Sequence, residues 1–173
     1  MQYLLLASIF AILLSGCASK EEKALLEKLK KNTNYHKRLK QTEKLQLFDV
    51  NGTAKVLLIA TYLYEQSTEK NDSKEERFII GIQVSEEAEQ SLQAEGYSLS
   101  LAGKAATSIV ALEHTDILLK DLSFKSQWSS YYLVHFPHSS QKSFKLILST
   151  QSYGSGSLYF AKVAKYVLSK KAF

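Results

Sequence analysis

One cysteine, one proline and one tryptophan occur in 173 residues, and each scarcity closes off a class of protein. The lone cysteine, Cys17, leaves no internal disulfide and no thiol pair for a metal or a redox motif. The lone proline, Pro137, does not suit a Pro-rich linker, and ten Tyr and eight Phe favour strands instead. No Gly-rich phosphate loop, His-Glu-x-x-His or paired Cys-x-x-Cys occurs, so the sequence marks of nucleotide, zinc-protease and thiol chemistry are missing. Long apolar runs are missing too. The one from Tyr3 to Leu14 falls short of the ~20 residues that a membrane-spanning helix needs.

What is present suffices for a core. Apolar residues at 45% and aromatic residues at 11% allow one domain of ordinary size plus a tether, without wholesale disorder. Charge is informative by its location. Residues 20–44 hold nine Lys/Arg and four Glu, a net of +5, whereas residues 45–173 hold thirteen of each sign. The basic stretch reads either as a solvated stalk or as one lying against anionic headgroups, where each Lys or Arg contributes about 1 kcal/mol. Nucleic acid is a poor fit, because the larger part of the chain has no basic excess.

At the end of the apolar run stands Leu14-Ser15-Gly16-Cys17, which resembles the lipobox of bacterial lipoproteins. That resemblance implies a signal peptide over residues 1–16 and a mature chain starting at Cys17. It also implies a covalent lipid on Cys17, the only prosthetic group expected, which ties the protein to membrane lipid. Acyl chains contribute about 0.8 kcal/mol per buried methylene, so several make attachment effectively permanent. No Lys or Arg precedes the apolar run, a departure from the usual signal pattern, and a retained short anchor is the alternative. Ala18 and Ser19 follow the cysteine. The absence of Asp at that place implies the outer membrane, with the periplasmic or surface side left open.

Residues 17–44 read as a lipid-anchored basic helical spacer. Ser19 and Glu22 have capping-box spacing, Leu25, Leu26 and Leu29 form a short stripe, and the helix runs to about Lys31. From Leu45 the texture becomes strand-like. Asn51-Gly52 between β-rich arms, Leu45 to Val50 and Thr53 to Tyr64, predicts a hairpin with a type I′ turn. Further strands are expected over Arg77 to Val84, Tyr97 to Leu101, Ser108 to Glu113, Tyr131 to Phe136 and Phe144 to Thr150. Ser85 to Glu95 reads as a short helix or turn, and Asp116 to Phe124 as strand or turn. Gly154-Ser155-Gly156 reads as the last turn. Ser157 to Leu168 fits either a strand or a helix, with the strand preferred to Lys162. About seven short strands without long helices predict a mainly β domain over 45–173, an antiparallel sandwich.

Several segments together resemble the immunoglobulin-like domain of small lipoproteins of Campylobacter, Helicobacter and their relatives. They are Asn51-Gly52-Thr53 with the strand to Tyr64, Phe78 to Gly81, Trp128 with Tyr131 to Pro137, and Gly154 to Gly156 with Phe160 to Val163. The resemblance covers roughly residues 45–168 and implies an immunoglobulin-like β-sandwich and an envelope address. It transfers no functional residue, since these proteins are largely of unknown function.

Candidates for chemistry are few. His135 and His138 could converge on a metal only if Pro137 bends the strand, with His114 and Asp116 as further ligands; ordinary histidines are the simpler reading, and no metal is expected. Glu75-Glu76 and Glu86-Glu87 read as solvated or helix-dipole pairs. Gly154 to Ser157 is offset from a nucleophile elbow. Trp128, Tyr131 and Tyr132 cluster ahead of a strand, and Tyr153 adjoins the last turn. Trp128 reads either as a core plug or, with these tyrosines, as an exposed patch for a protein or glycan partner. The expected function is accordingly a non-enzymatic binding module of the cell envelope. A periplasmic structural or assembly factor is the alternative, and a hydrolase or metal enzyme a third.

Overall fold

The computed structural model describes residues 35–65, 73–85, 91–93 and 96–162, together with Glu27. The signal peptide, Cys17, the helix expected over Ser19 to Lys31, and the run beyond Lys162 lie outside the described residues. So does most of the expected Ser85–Glu95 helix, of which Leu92 is described and buried. The chain divides into two units, Met1–Asn34 and Tyr35–Phe173, and every described strand belongs to the second. Among the described residues no helix is long and apolar enough to cross a membrane.

Among the described residues nine strands form two antiparallel sheets. They are β1 Thr42–Phe48, β2 Ala54–Tyr62, β3 Glu76–Val84, β4 Tyr97–Leu101, β5 Lys104–Ala105, β6 Ser108–Leu112, β7 Ser130–Phe136, β8 Ser143–Thr150 and β9 Gly154–Ala161. One sheet has the order β1-β2-β3-β7-β6 and the other β5-β4-β8-β9. Period-2 alternation explains the main core. Val56, Leu58, Ala60 and Tyr62 of β2 and Phe78, Ile80 and Ile82 of β3 join Leu146 and Leu148 of β8 and Leu158 and Phe160 of β9. Five rings, Tyr62, Phe78, Phe136, Phe144 and Phe160, meet at one end, with Tyr62 stacked on Phe78 at 4.8 Å between centroids.

The outward face of β3 is buried as well. Ile79, Leu63 and Tyr131 pack with Leu119 into a second cluster, because the connection 113–129 between β6 and β7 crosses over the five-stranded sheet. That cover explains why β3 reads as an unbroken apolar run.

Two turns differ from expectation. Asn51-Gly52 does not form a type I′ turn, since only Gly52 has positive φ (78°). Instead the Asp49 carboxylate accepts the N–H groups of Asn51 and Thr53, both at 2.9 Å, and Gly52 N–H donates to the Asp49 carbonyl. Asp49 thus captures the loop in an Asx-type arrangement with one left-handed glycine. The two-residue loop with positive φ at both positions is Ala102-Gly103, between β4 and β5, at 50° and 80°. The last turn also shifts: it is 151–153, with Gly154 already paired to Thr150 and Gly156 inside β9.

β1 starts at Thr42, inside the stretch read as spacer. Its first residues look like tether because an edge strand carries polar side chains, yet Thr42 Oγ1 bonds Thr61 Oγ1 at 2.8 Å. Leu45 of β1 packs onto Gly156 of β9, where a Cβ would come within 2.8 Å of Leu45 Cδ2. The two sheets are thereby joined along that side.

Candidate interaction surface

The aromatic residues singled out from sequence do not form one patch. Tyr131 and Tyr132 are consecutive on β7, so they point to opposite faces and both are buried. Tyr132 enters the core between the sheets, and Tyr131 lies beneath the connection 113–129. Tyr153 sits at the hairpin of the other sheet, half-buried against the main core. Trp128 is 67% exposed, which also removes the reading of it as a core plug.

Around Trp128 the connection assembles a different surface. Asp116 caps a 3-10 helix, Ile117–Leu119, by accepting the Leu118 N–H at 2.8 Å. The helix turns Leu119 inward and leaves Ile117 73% and Leu118 38% exposed. Phe124, 38% exposed, carries the Lys44 ammonium 3.3 Å above its ring, a cation–π contact that ties the connection to β1. Sequence alone showed only an ambiguous Asp116–Phe124 stretch; Asp before Ile-Leu-Leu was the available signal for the cap.

The connection is pinned from below. Tyr131 Oη accepts the Ser126 N–H at 2.7 Å and donates to the Ser126 carbonyl at 3.2 Å. Ser126 Oγ in turn accepts the Trp128 N–H, and Lys125 donates to the His114 carbonyl. The ring of His114 meets Tyr131 edge-on, so His114 and Asp116 serve the scaffold of this surface. The apolar groups that face water therefore stand on a fixed backbone.

A second constellation lies at the start of β3 and corrects the reading of Glu75-Glu76 as a solvated pair. Glu76 is 3% exposed. One carboxylate oxygen accepts from Lys162 Nζ at 2.6 Å and the Ser139 N–H at 3.0 Å, and the other accepts from Tyr62 Oη. His138 Nδ1 stands 3.6 Å from Glu76 and bonds the Lys74 carbonyl at 3.0 Å, while His135 pairs with exposed Glu75 at 2.9 Å. Among the described residues no three His, Cys, Asp or Glu side chains group as metal ligands. Each oxygen of Glu76 is engaged, so the cluster works as a lock between β2, β3, the β7–β8 loop and the end of β9. A cleft of about 380 Å³ adjoins it, lined by 62–65 and 74–77. Burial lowers the pKa of nearby Arg38 from its ordinary value, against the opposing pull of Glu65 and Asp121.

No family model, curated protein or solved structure matches the chain.

Proposed function

We propose that this chain is a lipid-anchored protein of the bacterial outer membrane whose sandwich is a non-enzymatic binding module. The connection 113–129 takes a protein partner. The observation that carries the reading is the exposure of Trp128 and Ile117 on a backbone held by Tyr131 and Leu119. Large apolar side chains contribute about 1.5–3 kcal/mol each when a partner covers them. A pinned loop loses little further freedom on binding, and Trp is a frequent hot-spot residue.

The anchor rests on the resemblance of Leu14 to Cys17 to a lipobox. Positions 18–34 then separate the lipid from the helical residues 35–40 that lead into β1, a reach of at most about 60 Å if fully extended. The net +5 of residues 20–44 suits a position beside anionic headgroups.

The finer fold in this proposal is an immunoglobulin-like sandwich. Strand order supports it: with β1 set aside, β2-β3-β7-β6 over β5-β4-β8-β9 has the arrangement A-B-E-D over C′-C-F-G. Such a fold hosts many activities, so the function rests on the surface.

Photoreactive residues placed at 117 and 128 in intact cells, with fully exposed Val50 as the comparison site, test the reading. A protein adduct of discrete mass from 117 and 128 and none from 50 is the expected result. No adduct, or the same adduct from all three sites, overturns it.

A further inference from the structure

The four-stranded sheet turns its other face away from the core and away from the connection 113–129. Leu99, Leu146, Leu148, Leu158 and Phe160 point inward, so their neighbours along β4, β8 and β9 point out. In the third cross-strand row of that face Lys145 pairs with Tyr159. Tyr159 is 58% exposed, and the Lys145 ammonium stands 5.3 Å from its ring centroid. An open groove of about 490 Å³ runs beside them, bounded by the Ala102-Gly103 turn, Gln141, Ser143 and Ile147.

We propose that this groove binds an acidic oligosaccharide, with a sugar ring on Tyr159 and a carboxylate on Lys145. Three features commit the occupant. A flat, amphipathic ring on a rigid strand offers a stacking platform with a wet rim, which suits the C–H face of a pyranose. Next to it the face is hydroxylic. Ser100 and Ser157 flank Ile147 in one row, and Ser98, Ser149 and Ser155 form the next, at the strand spacing of about 4.8 Å. These hydroxyls stand on the outward face of the sheet, and a hydroxyl can both donate and accept toward sugar hydroxyls.

Charge decides the sign. All thirteen acidic residues of 45–173 lie at or before Asp121, so 122–173 holds seven Lys and no Asp or Glu. β4, β5, β8 and β9 contain no acid at all. An anionic ligand meets no like charge from these strands and pairs its charge with Lys145, whereas a neutral sugar gains only hydrogen bonds from that ammonium. With Ile147 and the edge methyl of Ala105 as its only aliphatic side chains in the serine rows, the face is too polar for a mainly apolar protein contact.

The test is calorimetric titration, in detergent micelles, of the protein as extracted from membranes. Galacturonate, hyaluronate and sialate hexamers serve as probes, with cellohexaose as the neutral comparison. At least one acidic hexamer binds saturably, one per chain, and more tightly than cellohexaose. Tyr159→Ala weakens it by about tenfold or more, while Tyr159→Phe, which keeps the ring, stays near the parent. Lys145→Gln weakens it by about threefold and flattens its salt dependence. An unchanged circular-dichroism melt shows each variant folded; both side chains are exposed, so the melts should coincide. No saturation by about 10 mM for any acidic hexamer overturns the proposal. Affinity indifferent to Tyr159→Ala overturns it too. So does binding of anionic phosphatidylglycerol vesicles, but of no hexamer, through these residues, which would make the face a membrane contact.

Discussion

The ring of Tyr131 lies over Gly81 across the β3–β7 ladder, so close that a Cβ on Gly81 would stand 2.8 Å from Cε1. One missing side chain thus seats the tyrosine that holds the exposed connection through Ser126. Gly81→Ala forces the ring to shift and destabilises by about 1–3 kcal/mol, the ordinary range for overpacking. Tyr131→Phe keeps the packing but loses both Ser126 hydrogen bonds, a cost of about 1–2 kcal/mol. In both variants hydrogen exchange should rise over 113–129 more than in β8 and β9, with urea titration giving the global value.

Trp128 is the only tryptophan and reports on its own exposure. Its emission should be that of a solvated indole, readily quenched by acrylamide. Trp128→Ala should change stability by less than about 0.5 kcal/mol, the surface range. Blue-shifted, shielded emission with a loss of about 3–5 kcal/mol would identify a buried ring instead.

The Glu76 lock predicts an asymmetric result. Glu76→Ala leaves the Lys162 ammonium, mostly buried, without its nearest carboxylate and should cost about 3–5 kcal/mol. Tyr62→Phe removes one charged hydrogen bond and should cost about 1.5–3 kcal/mol. Chemical denaturation of the two variants checks both values. Equal and negligible losses would mean that the carboxylate is hydrated rather than locked.

Ala102 holds φ of 50° in the two-residue β4–β5 loop, where a Cβ is strained. Ala102→Gly should therefore raise stability by about 0.5–1 kcal/mol, net of the flexibility glycine adds to the unfolded chain. A fall in thermal midpoint would show that the Ala102 methyl packs favourably.

How much of this was legible in sequence follows from which interactions are local. The alternation of Tyr97 to Leu101 marked β4 with its observed bounds. Asn51-Gly52 marked a hairpin correctly, but the turn type depended on Asp49, whose carboxylate overrode the pair. Glu76 looked solvated because its partners Lys162 and Ser139 lie far along the chain. Of the patch expected from Trp128 with Tyr131, three residues apart, Trp128 is exposed and Tyr131 is buried. Alternation along β7 was visible, but nothing local says that the connection 113–129 covers the outer sheet face and buries Tyr131.

The proposed address of the domain depends on lipid at Cys17, which makes the mass of the protein as isolated the most direct test. Intact-protein mass spectrometry of material extracted from membranes should find a chain that begins at Cys17 and carries acyl groups. Cys17→Ser should leave it unacylated and unprocessed. An unacylated chain that still begins at Met1 in the parent protein would contradict the account, since tether, address and partner compartment all rest on that lipid.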